Sequence, residues 1–219
     1  PTLSAYLQAK GHEVNCFDFN VESYDIFFTR DYLVRCVDKI RQRLSDQAQT
    51  RQEHEVKQVY QQILSDAEYL ESIFSGVEEA KGVLRNEELF FQFPVYKRAY
   101  TTLKVAMKLV SYAHFPSRID LESFFMDGTP EDSLLGIMTA TIDATRNPYL
   151  SIYKDYLLAQ VKWEDYGLAG ISIIHVGQVI PGLTLARLLR ERYPHLHIVI
   201  GGSVFNRHAD ILNDKQMLF

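Results

Sequence analysis

Apolar positions along this 219-residue chain change period twice. In PTLSAYLQAKGHEVNCFDFN, residues 1–20, Leu3, Tyr6 and Leu7 recur at helical spacing and Gly11 stops the run. Val14, Cys16 and Phe17 then read as a strand near 14–19. From residue 24 to residue 163 the period is helical. DYLVRCVDKIRQRL, HEVKQVYQQILSDAEYLESIF, VYKRAYTTLKVAMKLVSYA and EDSLLGIMTATIDA each repeat apolar positions at three and four. Breaks are expected at 45–50, 76–86, Pro94, Pro116, the DGTP turn at 127–130 and the NPY turn at 147–149. DLESFF reads as a loop or a short hairpin. The third zone returns to strands. GLAGISII at 167–174 and HLHIVIGGS from 195 flank a helix over 178–193, which Pro194 closes.

Two short apolar strands joined by an amphipathic helix form the unit of a parallel sheet, because parallel neighbours need a crossover and its helix covers one face. Leu183, Leu185, Ala186, Leu188 and Leu189 form the apolar stripe of that helix, and Arg187, Arg190, Glu191 and Arg192 much of its solvent side. Ligands of open sheets of this kind bind beyond the carboxyl ends of the strands. Here that edge is residues 172–178 and 201–203. Gly201 and Gly202 remove side chains where the second strand leaves the sheet. The reading divides the chain into an α/β domain formed by residues 1–23 and 164–219 and a helical insertion or cap at 24–163.

A hydrophobic fraction of 47% supports a buried core, and a formal charge of −5 supplies no basic footprint for nucleic acid. No apolar run approaches the roughly 20 residues of a membrane span, and residues 1–15 lack a signal-peptide pattern, so a cytoplasmic, membrane-free protein is expected. Two cysteines, Cys16 and Cys36, are too few for a disulfide framework or a thiolate-held cluster. The glutamates of the helical zone lack the Glu-x-x-His partners of a di-metal bundle, and seven scattered histidines define no catalytic triad.

GISIIHVGQVIPGLTLARLLRERYPHLHIVIGGSVFNR resembles the cobalamin-binding domain that precedes the catalytic barrel of many radical S-adenosylmethionine enzymes. A strand, a glutamine-and-proline helix start, LARLLRER-x-P and HIVIGGS follow in order. PTLSAYLQAKGHEVNCFDFN is similar to that family's first helix and second strand, with the Gly11–His12 turn and Asp18 late in the strand. The resemblance implies a flavodoxin/Rossmann-like parallel sheet carrying a large all-α insertion. It also implies that the sheet is partial, with the family's first strand preceding the helix at 3–10 and its last strand following residue 219.

The resemblance further implies cobalamin as the cofactor, with the corrin over the sheet's carboxyl edge and the nucleotide tail beside the strands. Val176 and Gly177 are then expected under the ring. Ser172, Gln178 and Ser203 are expected to bond its rim or tail, His175 to be a polar rim residue or a simple loop position, and Gly201 and Gly202 to leave room for the ligand. Histidine-ligated cobalamin domains carry an Asp-x-His-x-x-Gly loop that this chain lacks, so His175 is not expected to ligate cobalt and no metal ligand is assigned.

The Cys-x-x-x-Cys-x-x-Cys run that holds the radical enzymes' [4Fe–4S] cluster is absent. S-adenosylmethionine and the cluster are therefore expected only in a downstream radical barrel of the same parent chain, which is the expected partner, and no catalytic residue is assigned here. Methyl transfer or a radical rearrangement is the activity the resemblance implies for the parent, acting on a peptide or small-molecule substrate. Two alternatives stand beside it. One is a cobalamin-free family member that docks substrate or serves as a structural module. The other is an unrelated α/β nucleotide-binding domain, although Gly-x-Gly-x-x-Gly does not occur.

Overall fold

The computed structural model describes residues 2–45, 51–127 and 134–206. The breaks expected at 45–50 and 127–130 lie, beyond Ser45 and Asp127, outside the described residues. Helix α1 (Thr2–Ala9) buries none of its residues, and residues 12–18 then run without regular structure into α2 (Phe19–Phe27). The strand expected near 14–19 is therefore not formed. The Asp18 carboxylate accepts a hydrogen bond from Val21 N and caps α2, which draws Phe19 into the helix. No strand lies beside residues 12–18 among the described residues to supply a ladder.

Helices α3 (Arg30–Ser45), α4 (Arg51–Ser65), α5 (Ala67–Arg85), α6 (Glu87–Phe90) and α7 (Phe93–Ala113) follow. Asp66 caps α5 through Tyr69 N and so separates it from α4. The break expected over 76–86 narrows to Asn86, which caps α6. Helix α5 passes through Gly76 and Gly82 because Leu70, Ile73, Val77, Ala80 and Val83 are all buried along it. Burial on that scale outweighs roughly 1 kcal/mol per interior glycine. A Cβ on Gly76 would lie 3.3 Å from Thr102 Cγ2, so the glycine also lets α5 approach α7. Pro94 lies just past the break expected there, which falls at 91–92 between α6 and α7. It sits in the first turn of α7, where its missing N–H has no intrahelical acceptor to lose.

Beyond α7 the chain takes the hairpin alternative. Strands β1 (Ser117–Ile119) and β2 (Phe124–Met126) pair antiparallel, Ser117 opposite Met126 and Ile119 opposite Phe124. Asp120 Oδ1 accepts from Glu122 N and Ser123 N and closes the turn. Ile119, Phe124 and Met126 are buried while Arg118 is exposed, a period-2 pattern too short to stand out among helical repeats. The expected all-α insertion thus carries a ribbon of its own.

Helices α8 (Leu134–Ile142) and α9 (Pro148–Ile152) and a π-helical turn (Tyr153–Leu157) lead to β3 (Leu168–Ser172). Helix α10 (Val179–Arg192) crosses to β4 (His197–Gly201), and α11 (Ser203–Asn206) ends the described chain. β3 and β4 pair in parallel, Leu168 opposite His197 and Ser172 opposite Gly201, as the pattern predicts. The described residues are thus mostly helical with two two-stranded sheets, one of them parallel. No described helix is long and apolar enough to cross a membrane.

Helix α10 is apolar on two sides. Toward the sheet, a Cβ on Gly182 would lie 2.5 Å from Ile173 Cδ1, and Leu183 and Ala186 share that face. On the other side, Leu185 and Leu189 join a continuous core that runs through Trp163, Tyr153 and Tyr149 to Leu33, Leu103 and Val110 of α3 and α7. Buried Asn147 ties these elements together. Its Nδ2 donates to Ala140 O (3.0 Å) and Thr184 Oγ1 (2.9 Å), and its Oδ1 accepts from Tyr149 N at the start of α9. The helical residues at 24–163 therefore pack directly on the crossover helix.

Candidate functional site

Paired residues of a parallel ladder project to the same side of the sheet. Leu168, Gly170 and Ser172 of β3 and His197, Val199 and Gly201 of β4 therefore share one face, opposite α10. That face is uncovered, with Leu168 55% and Val199 46% exposed. A Cβ on either Gly170 or Gly201 would meet nothing within 4 Å. The face runs to the carboxyl edge with no side chain at Gly170 or Gly201.

The two loops at that edge are bonded to each other and to themselves. Ser203 Oγ donates to Ile174 O at 2.9 Å. Gln178 Oε1 accepts from Ile174 N (3.0 Å) and His175 N (3.3 Å), and His175 Nδ1 accepts from Gly177 N (3.1 Å). Together these bonds form a capping box ahead of α10 over the 3₁₀ turn Val176–Gln178. All eight residues singled out from the sequence, Ser172, His175, Val176, Gly177, Gln178, Gly201, Gly202 and Ser203, thus gather at one edge, but they face different ways.

The three glycines there separate by environment. A Cβ on Gly202 would lie 2.1 Å from Ile173 O, and its φ of 117° lies in the left-handed region, so this glycine serves the close approach of the two loops. Gly177 is buried beneath β2, where a Cβ would lie 3.1 Å from Phe124 N, so the hairpin occupies the space expected for a ring. Gly201 alone of the three opens outward. Beside it Val176 and Ile174 are 57% and 64% exposed, an apolar rim at a polar loop. His175 accepts at Nδ1 from Gly177 N, which ties its ring into the loop ahead of α10.

Sequence reasoning passed over Gly170 and Ile174, although Gly170 stands inside the strand run GLAGIS, where a glycine signals close approach. It also passed over a second cluster. Tyr32, Arg35, Cys36 and Lys39 recur at helical spacing on α3, and with His114, Ser151, Asp155 and Tyr156 they line a cavity of about 200 Å³. Burial pushes the Cys36 thiol up to about 12, so it is no nucleophile near neutrality. Burial, reinforced by Arg43, lowers Lys39 to about 8. Burial, reinforced by Lys39, lowers His114 to about 3. His114 Nδ1 donates to Thr145 O at 3.0 Å, and Lys39 Nζ, 3.2 Å from that nitrogen, donates to the same carbonyl.

No group of three or more metal-ligating side chains is present among the described residues. No family model matches the chain, and no curated protein and no solved structure matches it.

Proposed function

We propose that this chain is the cobalamin-binding module of a radical S-adenosylmethionine enzyme, its β3–α10–β4 unit forming two strands of a flavodoxin-like sheet. The observation that carries the reading is the outward-facing glycine edge. Gly201 opens at the carboxyl end of a parallel pair, beside exposed Ile174 and Val176, and Gly170 leaves further open space on the same face of the strands. A corrin is a broad disc with apolar faces and an amide rim, and its tail is a slender chain. The apolar rim suits the disc, and the open space at Gly170 and Gly201 suits the tail.

Ile174, Val176, Gly170, Ser172 and Gly201 are the residues that would hold the group. The Ser203 hydroxyl and the Gln178 amide hold the loops in place through their own hydrogen bonds. Gly177 and Gly202 shape the loops in the same way and do not face the ligand. When bound, cobalamin supplies a cobalt centre able to carry a methyl group. This chain's contribution is to seat the group and to exclude water from one of its faces. The parent's substrate belongs to the same proposal and is left as a peptide or a small molecule.

Hydroxocobalamin titration, followed by the absorption bands of the corrin, tests the reading. Saturable binding that Gly201→Leu abolishes supports it. Binding unaffected by Gly201→Leu, with the helical circular dichroism unchanged, contradicts it.

A further inference from the structure

The cavity against α3 has the makings of a ligand site, and it is independent of the sheet edge. One wall is the α3 stripe of Tyr32, Arg35 and Lys39; the other is formed by Ser151 of α9 and by Asp155 and Tyr156 of the π-helical turn. π-Helical turns within helical segments occur disproportionately at functional sites. The Arg35 guanidinium lies over the Tyr32 and Tyr156 rings, 5.9 and 5.5 Å from their centroids, and donates to the Tyr156 hydroxyl. Two aromatic faces and one hydrogen bond therefore fix its plane while most of its N–H groups find no protein acceptor among the described residues.

Lys39 likewise has no carboxylate partner among the described residues; its hydrogen-bond acceptors are loop carbonyls. Asp155 lines the same cavity without pairing to Arg35. Two cations against one carboxylate leave a net positive pocket, and the carboxylate disfavours a doubly charged guest.

We infer that this cavity binds a small organic monocarboxylate, its two oxygens meeting the free edge of the Arg35 guanidinium while Lys39 supplies a second positive charge. A planar fork matches a carboxylate in two parallel hydrogen bonds, which a lysine at position 35 cannot reproduce. The volume admits a molecule of pyruvate or acetate size with room for a short side chain.

Calorimetric titration of the chain at neutral pH with acetate, pyruvate and inorganic phosphate, each at matched ionic strength, is the test. One saturable site is expected for acetate and pyruvate, with phosphate weaker. Arg35 is exposed, so its variants keep the fold. Arg35→Gln is expected to remove saturation, and Arg35→Lys to weaken it by about tenfold, the loss of one charge-assisted hydrogen bond. Arg41→Gln, on the same helix and paired with Asp38, is expected to leave it unchanged. Absence of saturable carboxylate binding, equal weakening by Arg41→Gln, or phosphate tighter than acetate would each overturn the inference. None of these outcomes bears on hydroxocobalamin binding at Gly201.

Discussion

Gly201 and Gly202 are adjacent in sequence and opposite in role. Gly202→Ala forces a methyl against Ile173 O at a positive φ, and a loss of about 3 kcal/mol is expected, seen as a lowered midpoint in urea unfolding. Gly201→Ala, with open space above it, is expected to stay within about 0.5 kcal/mol of the parent chain. Equal losses in the two variants would contradict the assignment. A glycine pair at a strand end is visible in the sequence, but which of the two faces outward depends on where Ile173 sits, and no local pattern encodes that. The same limit hid the cavity against α3. Lys39 and His114 meet across 75 residues, so their joint desolvation is a tertiary property.

Those two groups give the chain a directional pH response. His114 titrates near 3 when folded and from 6.5 when unfolded, so between these values the unfolded chain binds more protons. The His114 contribution is therefore full above 6.5 and is expected to fall by up to about 1.4 kcal/mol per pH unit below it. Lys39, lowered from 10.5 to about 8, acts in the same sense on the alkaline side, and its contribution grows as pH rises from 8 to 10.5. Urea midpoints recorded against pH for the parent and His114→Phe check the acid limb. The variant is expected to lose most of the slope between pH 6.5 and 4, and an unchanged slope would remove His114 from the account.

At the scale of elements, the crossover helix and its two strands were legible because a period of two gives way to one of 3.6 between clear punctuation, Gln178 with Pro181 at one end and Pro194 at the other. Residues 12–18 have the composition of a strand, but a strand needs a neighbour, and among the described residues none lies beside them. Phe17 finds another use, packing 6.3 Å from the Trp163 ring beside Phe19 of α2 at 6.2 Å. Asn147 was readable as a turn residue before Pro148, yet its main work is to join α8, α9 and α10 from a fully buried position. Asn147→Ala removes the cap of α9 and two buried hydrogen bonds, and a loss of about 2–3 kcal/mol is expected. Thr184→Val removes one acceptor from Asn147 and the hydroxyl's own bond to Ile180 O, and about 1–1.5 kcal/mol is expected. A thermal-unfolding comparison that ranks the two variants in the reverse order would contradict this reading of the joint.

At the scale of the molecule, one continuous core spans the helical residues and the crossover helix, and the parallel pair stands at its margin with one face bare. Helix α10 is held from both sides, so the carboxyl edge rests on a rigid support, the condition for a preformed ligand seat. The bare face, the open Gly201 and the apolar rim of Ile174 and Val176 together make the case for a flat, amide-rimmed guest. The measurement that tests this most directly is equilibrium dialysis of the chain against hydroxocobalamin, with Gly201→Leu and Arg35→Gln in parallel. Bound corrin in the parent and in Arg35→Gln, with none in Gly201→Leu at unchanged helix content, is the predicted result. No retention by the parent, or equal retention by Gly201→Leu, would contradict it and leave the edge as a packed strand end.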